Sequence, residues 1–407
     1  MDKQIDVLKK QRLDWIDGLR GICCILIFVH HFLLIFYPGT YSGNAVPSHM
    51  IAKLDIYLAQ SPFASLFNGN FLVCIFCVVS AVSISYSIFR RTDLNRLSRS
   101  MIKRFPRLAL PLFVTSLLVY FMIKLSLFEN DAAVRITQSW WLDLYYKNDP
   151  EFQQELTTLL WQMFRTSFID VWFVGNSEFS TAFWMLKYIF YGSFATYILS
   201  IMAWNKNKKI LFVYLLTAVA FLLLDNLIFN FILGTILGYF ISNEMKPPHS
   251  KTIGVLLILL GMFLGGYPTG ISPDNVYRFF PVVLKEVKPY FVYHSIGAFL
   301  MVAGFYYLDL KLLKRRLFLF LGKISYAVYL LHIPVLFSFS TKLFVCLYSN
   351  NGHYQLNSVV VFILSLLLLC GVAFLFYITV ERGCYFLIDK ILNKLSIQTE
   401  ADTKQQV

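Results

Sequence analysis

A helical bundle that crosses a membrane about ten times is the fold class this sequence predicts, and three observations predict it. Of the 407 residues, 57% are hydrophobic and only 14% are charged, whereas an ordinary soluble domain is about 25% charged; mean hydropathy is +0.62. The apolar residues gather into runs long enough to cross a hydrocarbon core as helix, which takes roughly 20 residues. The basic residues collect on alternate connections between those runs.

The runs fall at about 20–37, 70–89, 107–124, 182–203, 210–224, 227–242, 252–268, 291–308, 317–339 and 357–380. The first follows a basic arm, as a secretory leader would, but it carries ionisable residues and no small-residue cleavage site follows Phe32, so it reads as a retained helix. The second holds the pair Cys74 and Cys77. No second pair of ligands accompanies it, and six of the seven cysteines (Cys23, Cys24, Cys74, Cys77, Cys346, Cys370) sit in or beside apolar runs as small hydrophobes, so neither a metal site nor a disulfide framework is expected. The third run follows the basic segment 90–107. The fifth and sixth are short, with Asp225-Asn226 reading as a tight turn between them, and the tenth, 358–380, is the longest near-continuous apolar stretch.

The N-terminal arm through Arg20, segments 90–107, 204–209, 243–251 and 309–316, and the tail beyond Glu381 hold about 25 of the 36 Lys and Arg residues, against about eight on the alternate connections. With an even number of helices, this asymmetry predicts that both termini are cytoplasmic. The net charge of +13 is thus topological, and no nucleic acid is expected as a partner. The long connection 125–181, with Trp140-Trp141 and Tyr145-Tyr146, reads either as interfacial helices or a lid, or as a packing loop. Residues 1–390 form the expected membrane domain and 391–407 a polar, disordered tail.

An ionisable side chain inside a span is costly unless it meets partners or a watery cavity, which makes each one a functional candidate. In the first run Arg20 and His31 are eleven residues apart, about 1,100° of turn and about 16 Å of rise, so they share a helix face. Asp17 precedes them. His31 is placed to act as a general base; His30 points about 100° away. In the second cluster, Arg104 and Arg107 stand i, i+3 where the basic loop enters the third apolar run, a spacing that allows two guanidinium forks to meet one anion. Ser325, Tyr329 and His332 step by four and three along the ninth run, a polar stripe that either lines something wet or binds another helix. Ser325 and His332 are about 10 Å apart along the axis, too far to be a nucleophile and its base.

These segments resemble the acyltransferase-3 superfamily. DGLRG with His31 eleven residues after Arg20 resembles its Arg-x10-His pattern, KRFPRLALP its RxxR segment at Arg104 and Arg107, LGKISYAVYLLHIPV its SYxxYLxHxP segment, and VERG at 380–383 its closing acidic-basic pair. The resemblance covers about 15–390. It implies a ten-helix membrane O-acyltransferase of the plasma (inner) membrane that takes acyl-CoA, with acetyl-CoA the expected form, from the cytoplasm. The implied acceptor is a hydroxyl of a cell-surface or lipid-linked glycan at the outer face. Carried over by position, Arg20, Arg104 and Arg107 hold the phosphates of coenzyme A and His31 deprotonates the acceptor. Tyr326, Tyr329 and Lys187 are candidate donors to the developing oxyanion, and Asp17, Trp184, Tyr188, Ser325 and His332 complete the expected pocket.

One departure stands out. FWMLKYIFYGS at 183–193 resembles the W-T-L-x-Y-E segment, but Ile189 stands where a glutamate is usual and Met185 where a threonine is. If that acid orients the histidine, Glu178 or Asp225 would have to replace it. A direct attack by the acceptor on the thioester and a two-step route through Ser325 or a cysteine are both compatible with the residues. A transporter or flippase, whose path intramembrane Arg, His and Tyr would line, and a non-catalytic paralogue, suggested by Ile189, are the alternatives. The lack of a visible inverted repeat weighs against the transporter.

Overall fold

The computed structural model describes residues 13–90, 94–146, 156–175, 179–203, 209–224, 226–246, 248–269, 276–280 and 287–405. Among these residues there is no strand. The main helices are α1 (Asp14–Phe36), α2 (Gly69–Arg90), α3 (Leu94–Lys124), α4 (Asn130–Thr137), α5 (Leu156–Arg165), α6 (Trp184–Ala203), α7 (Lys209–Leu223), α8 (Ile228–Ser242), α9 (Ser250–Gly265), α10 (Pro289–Leu308), α11 (Arg316–Val335), α12 (Thr341–Asn351), α13 (Tyr354–Phe376) and α14 (Arg382–Gln405).

Each of the ten apolar runs has one of these helices as its main part. Among the described residues seven helical stretches are long and apolar enough to cross a membrane, while α7, α8 and α9 are shorter apolar helices. Val359, Ile363 and Leu367, one turn apart on α13, remain exposed, as expected of a face that meets lipid rather than water. The chain is an all-helical, multi-pass membrane protein.

The helices differ from the sequence expectation at their ends. The basic segment before the third run is no loop: from Leu94 it is already helix, and α3 carries Pro106 and Pro111 inside it. The Thr115 hydroxyl bonds the Pro111 carbonyl one turn back (3.0 Å), as a threonine inside a helix commonly does. A π turn at Leu336–Ser340 joins α11 to α12, and another at Tyr377–Glu381 joins α13 to α14. Helix α14 therefore runs through 391–405, where a disordered tail was expected. The long connection 125–181 contains α4, α5 and a π turn at Thr166–Asp170. Asp225 and Glu178 lie outside the described residues.

The functional helices α1 and α11 meet through glycine. A Cβ on Gly21 would stand 2.5 Å from the Gly322 nitrogen, and one on Gly322 would stand 2.2 Å from the Asp17 carbonyl oxygen. The glycines of DGLRG and LGK thus face each other, and their missing side chains let the two backbones touch, the close packing that holds helices together where lipid gives no hydrophobic drive. Phe28, Phe32, Ile35 and Phe36 continue α1 into the buried core. Replacing Gly322 with Val is expected to push α1 and α11 apart, costing about 1–3 kcal/mol as overpacking does. The readout is a lower thermal unfolding midpoint of the purified protein in detergent.

Candidate active site

His31, on the second turn from the end of α1, meets His332 of α11. The two rings have centroids 4.9 Å apart, with His332 Nε2 3.2 Å from His31 Nδ1. His332 is buried, and its Nδ1 lies 2.7 Å from the Tyr329 carbonyl. A carbonyl only accepts, so that nitrogen carries the proton and His332 Nε2 is left as an acceptor. His31 Nδ1 faces two acceptors, His332 Nε2 and the Ile27 carbonyl at 3.0 Å, and so carries its own proton. The lone pair of His31 is thereby assigned to Nε2.

Half-buried His31 borders a cavity of about 320 Å³, whose wall includes His30, Tyr41, Asn70, Trp141 and Trp184. This volume lies at the lower end of the range for small-molecule sites. Trp141 stacks on the His31 ring (5.0 Å, 29°). It is held there because its connection is pinned to the bundle: the Ser139 hydroxyl donates to the Leu34 carbonyl (2.7 Å) and Trp140 Nε1 to the Ser42 hydroxyl (2.9 Å). Trp140, Trp141, Leu144 and Tyr145 of this connection line the cavity. Tyr41 and Tyr145 stand at the cavity rim beyond α1; burial pushes both phenols above their usual range, so they present neutral hydroxyls. Helix α2 begins at the cavity wall, with Gly69 and Asn70 in its first turn, and brings an amide and the positive end of a helix dipole to the site. His30 Nδ1 lies 2.8 Å from the Phe67 carbonyl, and its ring is edge-on to His31.

The other expected pocket residues divide. Trp184 and Tyr329 line the cavity, as does Met185. Tyr188 packs edge-on behind Trp184 (5.8 Å). Of the three candidate oxyanion donors, Tyr326 and Tyr329 have their only protons engaged with the Leu108 (2.7 Å) and Ala182 carbonyls, and Lys187 turns to the Phe173 (3.1 Å) and Val174 (3.4 Å) carbonyls. Ser325 is buried and bonds the Gly322 carbonyl of its own helix (2.9 Å). Ile189 is buried one turn beyond Met185. All seven cysteines are free, and the described residues contain no cluster of three metal-ligating side chains.

The arginines gather at the opposite end of the bundle. Arg20 pairs with Asp17 (3.2 Å). Arg104 donates to the Ser193 hydroxyl (2.7 Å), whereas Arg107 lies over the Tyr385 ring (5.0 Å), so the i, i+3 pair turns toward different neighbours. The Nε atoms of both are buried without a hydrogen-bond partner. A second cavity, about 370 Å³, opens beside Arg104 and is lined also by Arg96, Ser83, Ser87, Ser100 and Tyr197. In the closing acidic-basic pair, Glu381 turns inward and is buried, close to Tyr385, while Arg382 is exposed.

A family match agrees with this architecture. The acyltransferase-3 family, described as an acyltransferase domain, matches residues 13–378. A fungal protein of Cochliobolus lunatus named acyltransferase clz18 is 30% identical over 116 residues, covering 27% of this chain. The chain spans about a quarter of that relative, 24% of its length. No solved structure matches.

Proposed function

The chain belongs to the acyltransferase-3 family, and from that premise we propose that it moves an acyl group, most simply acetyl, from cytoplasmic acyl-CoA to a glycan hydroxyl presented on the His31 face. The plasma membrane is the proposed setting, with ten helices crossing and both termini cytoplasmic. The observation that carries this reading is the hydrogen-bonded chain from the Tyr329 carbonyl through His332 to His31, ending in a bare Nε2 at an aromatic cavity.

In the proposed reaction, His31 Nε2 takes the proton of the acceptor hydroxyl as its oxygen attacks the thioester carbonyl carbon. The new carbon–oxygen bond places negative charge on the former carbonyl oxygen. The Asn70 side-chain amide, in the first turn of α2, is the donor closest in character to what that charge requires, since Tyr326, Tyr329 and Lys187 are engaged elsewhere and the Gly69 and Phe71 N–H groups lie on His30 Nδ1 and Asn68 Oδ1. Collapse of the intermediate breaks the carbon–sulfur bond, and the departing thiolate of coenzyme A receives the proton held by His31. The product is an ester, with no acyl-enzyme; the burial of Ser325 favours this direct route. The aromatic wall residues Trp140, Trp141 and Trp184 suit the apolar faces of a sugar ring.

Arg104 is the proposed anchor for the phosphates of coenzyme A, supported by its buried, unpartnered Nε beside a polar cavity; Arg20 and Arg107 flank the same end. Arg104 to Ala is expected to raise the KM for acetyl-CoA by about 10-fold or more, as loss of a charged hydrogen-bonding group does, while the KM for the acceptor changes little. Initial rates with radiolabelled acetyl-CoA and the purified protein in proteoliposomes measure both. The test of the proposed function is the same assay with a simple glucoside as acceptor: formation of a labelled ester supports it, and its absence with all glycans tried removes the glycan acceptor.

A further inference from the structure

Between α1 and α2 the chain crosses the His31 face of the bundle through residues 37–68. This connection has two unlike sides. On the inner side Asp55 is fully buried; its carboxylate accepts from the Ser48 hydroxyl and from the backbone nitrogens of His49 (3.0 Å) and Ile56 (3.0 Å). Ala59, Ala64 and Asn68 are buried with it, and Asn68 Nδ2 donates to the Tyr267 carbonyl (3.3 Å). The segment is therefore fixed against the helices.

Its other side is apolar and open. Ile51, Leu54 and Tyr57, spaced i, i+3, i+6, are 79%, 51% and 71% exposed, and Phe63 and Leu66 are 62% and 46% exposed. The connection between α9 and α10 adds Val276 and Phe279, also exposed. The two connections adjoin, since Pro62 and Tyr277 both close on Gly266. Contiguous apolar surface of this kind is uncommon where a protein faces water. An aromatic with a polar tip, Tyr57, and an exposed lysine, Lys53, are what the headgroup layer favours.

We propose that the segment Ile51–Leu66 is a plate seated in the headgroup layer on the His31 face, and that it sets the cavity mouth at that depth so that the acceptor arrives on a lipid anchor. The link to the site is direct. The inner side of the plate, through Ala59, Ala64 and Phe67, walls a small crevice that also touches His30 and Tyr41, and both of those line the His31 cavity. A sugar carried by a lipid in that leaflet has its hydroxyls at the level of the cavity, whereas a free sugar gains nothing from the plate. The choice of acceptor rests on the function proposed above; the seating of the plate does not.

The experiment uses the full chain in vesicles of phosphatidylethanolamine and phosphatidylglycerol. Nitroxides are attached at Ile51→Cys and at Phe63→Cys in a Cys346→Ser, Cys384→Ser background, and their collisions with oxygen and with a water-soluble nickel chelate are compared. In parallel, wild type and the Ile51→Glu, Phe63→Glu double variant are assayed on hexadecyl glucoside and on methyl glucoside. Expected are nitroxides reached by oxygen in preference to the chelate, and an about 10-fold loss of rate in the double variant on hexadecyl glucoside alone, since two charges weaken interfacial seating. Nitroxides reached freely by the chelate would overturn the plate and make this face a site for a protein partner. An equal loss on both glucosides would overturn its role in acceptor choice. A wild type that acylates neither glucoside would overturn the proposed acceptor, with the nitroxides still deciding the plate.

Discussion

Replacing His31 with Gln is expected to lower acyl transfer by about 10²- to 10⁴-fold, the usual contribution of a positioned general base, without unfolding the protein. Glutamine keeps an amide donor for the Ile27 carbonyl, which His31 Nδ1 now bonds, and is close to imidazole in volume, so the packing under Trp141 survives. It has no lone pair basic enough to take a hydroxyl proton. The donor site is untouched, because Arg20 lies about 16 Å along the same helix. The expected pattern is a collapse of kcat with an unchanged KM for acetyl-CoA and an unchanged thermal midpoint. A variant that kept near-wild-type turnover would mean that the proton leaves by another route.

His332 carries the second large effect, and the expected result separates position from packing. Nothing but His332 Nε2 and the Ile27 carbonyl holds the His31 Nδ1 proton in place among the described residues. Losing His332 leaves that proton held by the Ile27 carbonyl alone, which weakens the bias toward the tautomer with a bare Nε2. His332→Ala is expected to lower kcat by about 10²-fold, within the range of general-base effects, with little change in either KM. His332→Gln, whose side-chain oxygen accepts from the same Nδ1–H, is expected to recover a large part of that loss, and added imidazole should partly restore the alanine variant. A residue that only fills space would show a lowered thermal midpoint in step with its activity and no rescue by imidazole.

The helical runs were legible because burial in lipid forces a long, nearly uncharged stretch, which composition alone displays. Helix ends were not: the basic residues before Pro106 read as a loop, yet they continue α3 because a helix satisfies its own backbone wherever the membrane begins. The polar tail after 390 read as disordered for want of an apolar face, although α14 continues through it. Within the site, Arg20 and His31 were legible as a pair because both lie on one helix at a whole number of turns. The partner of His31 was not legible as a partner, since 301 positions separate it from His332; only the stripe Ser325, Tyr329, His332 hinted that this face of α11 meets something polar. Trp141, Tyr41 and Asn70 were unreadable for the same reason, being brought to His31 by the connection 125–181, by the connection after α1 and by the first turn of α2. Ile189 leaves α6 without the expected acid, and the groups that hold His31 Nδ1 are His332 Nε2 and the Ile27 carbonyl.

The most direct test of the central claim is the O-acyl content of the cell-surface glycan, measured by NMR, in cells that lack this protein and in cells complemented with wild type or with His31→Gln. The account predicts an ester signal that is lost without the protein, returns with wild type and stays absent with His31→Gln although the variant is present in the membrane at the same level. An ester signal fully restored by His31→Gln would contradict it.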